Sequence, residues 1–380
     1  MKKIAIIGAN EPLIPHYVQT KKLGYEIHSF AWEEGAVCKK YADFFYPISF
    51  TDKESILEEC RKIKIDGIVS FSLESALSAV NYVAQELNLS GNPQKCIIAT
   101  SNKYEMRKRL KKIGLKNPYF KLIKSENELS LVNLDFPLIV KPVDSGGSRG
   151  VTKVDNEKDL LKAYKRALSY SKSRHVIVEK YIYGREFSVE YISHMGKHYF
   201  LTITDKVTSG EPYYVELEHH QPAFISDELK NKIKTITEQT LSGLYVSSSA
   251  SHTEIKLDNK GDLYIIEVGA RMAGDMIGYP LLSLSTGYDY VKGILELAIG
   301  DFNVPVFGLE KFSGIYYLSA ERKNVETYIE NSERYPDIIS KEPSNGNIIK
   351  VKESLDRAGY FIYQSKQKFN LSKSNENRKK

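Results

Sequence analysis

Residues 3–8 (Lys-Ile-Ala-Ile-Ile-Gly) run apolar without interruption after the lysine and end in glycine. That is the pattern of a strand buried on both faces at the centre of a parallel sheet. Tyr25-Glu-Ile-His-Ser-Phe30 predicts a second strand, Phe44-Phe-Tyr-Pro-Ile48 a short third and Gly67-Ile-Val-Ser-Phe71 a fourth. Helical spacing of apolar residues lies between them, notably over Lys53 to Ile63 and Glu74 to Leu87. Alternating strand and helix predict an open α/β domain over residues 1–98. Its first loop, Gly8-Ala-Asn-Glu-Pro-Leu, lacks the second and third glycines of a dinucleotide fingerprint, which argues against an NAD site.

Gly91-Asn-Pro93 breaks this pattern, and a basic helix from Lys103 to Ile113 follows. From Phe136 the texture changes to short strands and hairpins: Leu138 to Pro142, His175 to Glu179, Glu186 to Tyr191 and Tyr199 to Ile203. Asp227 to Tyr245 and Asp289 to Ile299 read as amphipathic helices. An antiparallel α+β domain is therefore expected over 99–303, and a small β-rich domain over 304–369 that begins with Phe312 to Leu318. The last residues, 370–380, are polar and basic and read as a disordered tail.

Bulk composition narrows the class. With 380 residues, 42% hydrophobic and 27% charged, the chain is an ordinary globular protein too long for one core. Its formal charge of +6 owes +3 to the last ten residues, where Lys373, Arg378, Lys379 and Lys380 outweigh Glu376, so no nucleic-acid partner is indicated. Cys38, Cys60 and Cys96 are odd in number and form no CxxC, which fits neither a disulfide framework nor a zinc site and fits a reducing cytoplasm. The apolar run at the N-terminus is too short for a signal peptide, and no stretch approaches the roughly 20 residues of a membrane span.

The most informative residues are two acids in His252-Thr-Glu-Ile-Lys-Leu-Asp-Asn-Lys-Gly-Asp-Leu-Tyr-Ile-Ile-Glu-Val-Gly-Ala-Arg271. If Asn259 to Asp262 is a hairpin turn, Asp258 pairs with Leu263 and Glu254 stands opposite Glu267. Two carboxylates so close repel unless a hard cation lies between them, and Mg²⁺ bound jointly by carboxylates and substrate phosphates meets that need. Upstream, Phe136-Pro-Leu-Ile-Val-Lys-Pro-Val-Asp-Ser-Gly-Gly-Ser-Arg-Gly-Val151 sets Lys141 at a strand end before a glycine-rich loop. Such a loop cradles phosphate with backbone N–H groups, although a plain Gly-Gly hairpin turn has the same look, and no Gly-Lys-Ser/Thr of a Walker loop follows. Val176 to Ile182 is a strand ending in Glu179 and a mixed segment that could offer backbone groups to a base, with Glu186 as an acceptor for ribose hydroxyls.

In this order the motifs resemble the ATP-grasp superfamily of carboxylate–amine ligases, and within it the L-amino acid ligases. Ser101-Asn-Lys103-Tyr-Glu-Met106-Arg107 resembles the segment carrying the first nucleotide-contacting lysine. Lys141 with Ser145, Gly146, Gly147 and Ser148 resembles the second lysine and the loop over the triphosphate. The resemblance further implies Glu179, Lys180, Tyr181 and Ile182 as the adenine hinge, Glu186 as the ribose acid, Glu254 and Glu267 as metal ligands, and Arg271 as the catalytic arginine. Ile203 to Pro222 and Gly269 to Gly278 resemble substrate-facing segments, which would put Glu216, His219, Arg271 and Asp275 against the substrate. Asp275 there would favour a cationic group. His219 and His220 have donors for a transition metal, but no further histidine stands at ligand spacing; His16 and His252 are expected to bond locally.

The family fold implied is a Rossmann-like leading domain (1–98), an ATP-grasp domain (99–303) with a mobile lid over 114–182, and the small closing domain. The implied activity is amide or peptide-bond formation through an acyl phosphate, with ATP as substrate, Mg²⁺ as cofactor (one or two ions, replaceable by Mn²⁺), and an amino acid as one reactant. Small-molecule carboxylates and amines would be the partners, with no nucleic acid and no membrane, and with a homodimer as the family's common assembly. One departure stands out: many ATP-grasp enzymes carry Asn two residues after the second metal glutamate, and this chain has Gly269. The alternatives are a biotin-carboxylase-like enzyme, a ligase for a sugar acid or carrier-bound carboxylate, an NAD-dependent oxidoreductase, and a nucleotide-binding regulator without turnover.

Overall fold

The computed structural model describes residues 1–132, 135–211 and 213–371, with nothing of the Leu131 side chain. The expected disordered tail thus lies, from residue 372 on, outside the described residues. The leading unit is built from β1 (Lys3–Ile7), α1 (Ile14–Lys22), β2 (Glu26–Phe30), β3 (Phe44–Tyr46), α2 (Lys53–Ile63), β4 (Gly67–Val69) and α3 (Leu77–Glu86). Its strands form a parallel sheet in the order β3-β2-β1-β4. Ile4 to Ile7 are fully buried at its centre, because apolar side chains on both faces need cover on both faces.

Next come α4 (Gln94–Ser101) and α5 (Lys103–Lys112), then β5 (Phe120–Ile123), β6 (Leu138–Pro142), β7 (Thr152–Val154), α6 (Glu157–Tyr170) and β8 (Val176–Lys180). The four strands make an antiparallel sheet, β5-β8-β6-β7, with α6 packed on it. Helix α6 was not foreseen, although Leu160, Ala163, Tyr164 and Ala167 carry the i, i+3, i+4, i+7 spacing and are its buried face. At the start of α5 the Asn102 side chain accepts from the N–H groups of Tyr104 and Glu105, a cap that fixes Lys103 as the first helical residue.

The rest of the chain holds β9 (Arg185–His194), β10 (Lys197–Thr208), β11 (Glu216–Gln221), α7 (Asp227–Gly243), β12 (Ser249–Leu257), β13 (Leu263–Gly269), α8 (Leu282–Thr286), α9 (Tyr290–Ala298), β14 (Phe312–Leu318), α10 (Val325–Glu330), β15 (Ile338–Glu342) and β16 (Gly359–Ser365). All its strands lie in one sheet of eight, β13-β12-β9-β10-β11-β14-β16-β15. The β-rich closing piece is continuous with this sheet: β14 pairs with β11 from Glu218↔Tyr316 to Gln221↔Ser313. A boundary at 303/304 therefore runs through a single ladder, for β11 would otherwise end the sheet with unpaired backbone groups. One core cluster joins Ile4, Ile6 and Tyr17 of the leading unit to Ile192, Leu201 and Tyr290 around the large sheet. Among the described residues no helix is long and apolar enough to cross a membrane.

Candidate active site

Glu254 and Glu267 are direct partners across β12 and β13, as expected, but the register arrives there by a different route. At the turn Leu257, not Asp258, faces Leu263, and a bulge between Glu254 and Ile255 shifts the ladder by one residue. The bulge restores the glutamate pair and leaves both carboxylates partly exposed to one cleft. Each acid meets a buried lysine there. Lys103 Nζ lies 2.9 Å from Glu267, and Lys206 Nζ lies 2.7 Å from Glu254. Burial works against the charge of Lys103, yet Glu267 and Glu74 outweigh it and raise its pKa.

The cleft, about 580 Å³, is walled by much of the expected machinery. Ser145, Gly146, Gly147 and Ser148 line it together with Glu216, His219, Glu254, Glu267, Arg271 and Asp275. The glycine-rich loop turns through positive φ at Gly147 (67°), Ser148 (56°) and Gly150 (75°). Its base is fixed by Asp144, whose carboxylate accepts from Ser171 Oγ and from the N–H groups of Lys172 and Ser173. Lys103 donates to the Ser145 carbonyl at 2.9 Å, so one ammonium ties this loop to Glu267.

Lys141 and Glu179 lie behind that wall. Glu179 is 2% exposed and takes Arg107 through Nε and Nη2 (2.8 and 3.2 Å) and Lys141 at 2.8 Å. Burial would push its carboxyl up, but the two cations hold it down at about 2. Burial together with the nearby Arg107 and Lys103 charges lowers the Lys141 pKa in spite of Glu179. The Glu179 side chain is thus a positioning anchor and does not face the cleft. Of the remaining hinge residues, the N–H groups of Lys180 and Tyr181 are spent on the Tyr119 and Pro137 carbonyls. Lys256 lies 3.4 Å from the Ile182 carbonyl and 3.7 Å from Glu186, joining the end of the hinge to the expected ribose acid. The hinge and Glu186 are outside the cleft wall, although Glu186 reaches it through Lys206, at 2.8 Å.

Lys206 is the side chain sequence reasoning passed over most completely. It is buried and contacts Glu186, Glu254 and, at 3.5 Å, Glu216, and these acids raise its pKa well above the ordinary value against the effect of burial. A lysine among three acids that come from separate strands has no local sequence signal. His252 lies between the buried Glu190 (2.6 Å) and Glu254 (3.5 Å). Burial opposes its charge, but Glu190 prevails and carries its pKa to about 9. Its main partner is thus Glu190 of β9, 62 residues away, and not the local neighbour expected.

Asp275 corrects a specific expectation. Its carboxylate is already held by both Nη groups of Arg357 (3.0 and 2.7 Å), by His219 Nε2 (2.8 Å) and by the Tyr317 hydroxyl (3.0 Å). These partners outweigh burial and keep its pKa far below the carboxylate range. It is therefore committed to the protein and has little left for a substrate cation. His219 and His220 point to opposite sides of β11, as neighbours on a strand must, and His220 bonds Tyr363 and Glu218. They do not converge on a metal, and among the described residues no group of three or more His, Cys, Asp and Glu does.

Arg271 closes the arrangement from the end of β13, bonding the Met272 carbonyl at 3.1 Å and Glu74 of the leading unit at 3.2 Å. Facing acids, a glycine-rich loop and a cluster of lysines accord with the match of residues 134–278 to the model of the ATP-grasp domain. Residues 134–278 are thus an ATP-grasp domain. The whole chain shares its fold with an L-amino acid ligase from Bacillus licheniformis, at a TM-score of 0.80 and 24% identity over 97% of this chain and 94% of that one. In sequence it is 26% identical over 260 residues to a formate-dependent phosphoribosylglycinamide formyltransferase of Prochlorococcus marinus (64% of this chain, 63% of the relative). It is 25% identical over 296 residues to an alanine–anticapsin ligase of Bacillus subtilis (68% of this chain, 62% of the relative). The chain thus spans less than two thirds of the length of these curated relatives. The ATP-grasp fold and its mixture of a parallel sheet with antiparallel ones are as the sequence led us to expect.

Proposed function

We infer that the protein is an ATP-dependent carboxylate–amine ligase and that an amino acid is one of its substrates. The observation that carries this reading is the meeting of Glu254, Glu267, Arg271 and the Ser145 to Ser148 loop on one cleft. A carboxylate oxygen attacks the γ-phosphorus, a P–O bond forms, and the bond to ADP breaks. The amine nitrogen then attacks the acyl carbon, the bond to phosphate breaks and the nitrogen sheds a proton. Arg271 and Lys206 line the cleft, with Lys103 and Lys141 buried behind its wall, and these are the charges that could act on the phosphoryl group; the glycine-rich loop is the element able to keep water from the acyl phosphate.

Glu254 and Glu267 fit Mg²⁺ as a facing carboxylate pair, and Mn²⁺ has the same preference for oxygen. Two carboxylates do not complete a site alone, so phosphate oxygens and water would fill the remaining positions. When bound, the ion supplies positive charge to the phosphates. Gly269 brings no donor where Asn is common, so a second ion would depend on Glu267 and phosphate.

The test is ADP release with MgATP against a panel of amino acids, other carboxylates, formate and bicarbonate, with mass spectrometry of the products. Glu267→Gln is expected to reduce amino-acid-dependent release by about 100-fold or more while leaving the circular dichroism spectrum unchanged. Normal turnover by that variant would remove the glutamate pair from the mechanism. Release that depends on formate or bicarbonate instead would replace the amino acid as substrate.

A further inference from the structure

Beyond Arg271 the cleft wall makes a tight turn. The Ile277 N–H donates to the Gly274 carbonyl at 3.1 Å, and the two residues between them, Asp275 and Met276, have φ of 50° and 66°. Positive φ at both central positions is the I′ geometry that Asn-Gly adopts readily. Aspartate tolerates its half of it, but in methionine the Cβ crowds the backbone. Gly274-Asp-Met-Ile277 therefore gives no local reason for this turn. Gly274, Asp275 and Ile277 nonetheless line the cleft, so the shape of the turn is part of the site.

Most of what holds it comes from the closing piece. Met276 packs against Leu281, Ile315, Tyr317 and Ile362. Asp275 takes both Nη groups of Arg357, besides Tyr317 and His219. Arg357 does more than complete that ion pair: its Nε donates to the Ser354 carbonyl at 2.8 Å, and its Nη1 reaches the Glu216 carbonyl at 3.4 Å. The guanidinium lies 3.7 Å from the centre of the Tyr317 ring, which restrains it further. Ser354, Glu216 and Asp275 all line the cleft, whereas Arg357 stands behind them. One planar fork thus sets the spacing of three stretches of wall, and a lysine could not reproduce it.

We propose that Arg357 is a positioning residue for the substrate end of the cleft: without touching substrate, it keeps the strained Asp275–Met276 turn, Glu216 and Ser354 in place around Arg271. The inference rests on the ligase reading for what binds there. The turn and its clamp stand without that reading.

Two measurements on the full chain test it: ADP release with MgATP and the best-responding amino acid, and hydrogen–deuterium exchange over residues 271–278 without ligand. Arg357→Gln should raise the KM for the amino acid by about tenfold or more, keep the KM for MgATP within about twofold, and speed exchange at the turn by about tenfold. Arg357→Lys keeps the charge without the fork and should lie between the two, and it carries the same comparison if the glutamine variant does not fold. Met276→Gly added to Arg357→Gln should restore most of the lost KM, because glycine adopts φ near 66° freely. A general loss of stability would not be reversed by that glycine. Amino-acid and MgATP KM values that rise together, a lysine variant equal to the native protein, or a glycine that restores nothing would each overturn the proposal and leave the ligase reading in place. A native protein that releases no ADP with any amino acid sinks the ligase reading; exchange then decides for the clamp alone, and a native rate in Arg357→Gln overturns it.

Discussion

Two cations share the Glu179 carboxylate, and among the described residues neither forms a salt bridge to another carboxylate. Arg107 also donates through Nη1 and Nη2 to the Ile265 and Ile266 carbonyls, at 3.2 and 2.6 Å, so Glu179 also braces the strand that carries Glu267. Removing one partner of a buried pair costs about 3–5 kcal/mol, because an uncompensated charge stays behind. Glu179→Gln should therefore lower the melting temperature clearly and also raise the KM for ATP, since Lys141 loses its anchor; melting curves and a nucleotide titration check both. An effect confined to the ATP titration would favour direct contact with nucleotide. The sequence offered Glu179 as an acid before a hinge, and nothing there distinguished a backbone contact from a buried carboxylate. Its partners lie 72 and 38 residues away, and ion pairs of that separation leave no trace in local pattern. Glu74, Lys206 and Arg357 were missed for the same reason.

Among the elements, those whose apolar spacing settles burial were legible. The central strand, α2, and the β12–β13 hairpin stand where their patterns put them. The hairpin's register is a different matter. Its pairing at the turn is one residue away from expectation, and a bulge brings Glu254 and Glu267 back together, so the pair was reached with a wrong ladder beneath it. Bulges depend on how a strand meets its neighbours, here β9 on the other side of β12, and periodicity along one strand does not reveal them. Gly184 follows the hinge with φ +148°, and a methyl there would land on the Leu257 carbonyl at the end of β12. Gly184→Ala should therefore destabilise by about 1–3 kcal/mol and weaken ATP binding, because hinge and hairpin could no longer approach. Thermal melts and a nucleotide titration would check it, and a variant with native values in both would show that this approach is dispensable.

At the scale of the molecule, the seam between the leading unit and the large sheet contains a buried titratable group. His16 on α1 is 6% exposed, with its ring 4.9 Å from Phe71 and 5.6 Å from Tyr279. Burial lowers its pKa from 6.5 to about 4, against two backbone hydrogen bonds that raise it. Between those values the unfolded chain binds a proton that the folded one refuses, so stability falls as pH drops from 6.5 to 4, by roughly 3 kcal/mol from this group. His198 and His220, also lowered mainly by burial, act in the same direction. Denaturant titrations from pH 7 to 4 should show a shallower decline in His16→Gln than in the native protein; identical slopes would acquit His16.

The sheet of eight strands has a last consequence, for exchange between relatives. The closing piece is attached to β11 by backbone rungs from Glu218 to Gln221, on the same strand that supplies Glu216 and His219 to the cleft, and its Arg357 holds Asp275. It cannot be swapped like a domain on a linker. A transplanted C-terminal piece would have to bring a matching strand edge, a counterpart of Arg357 and the same twist, so closing piece and β11 are expected to change together as one inherited block.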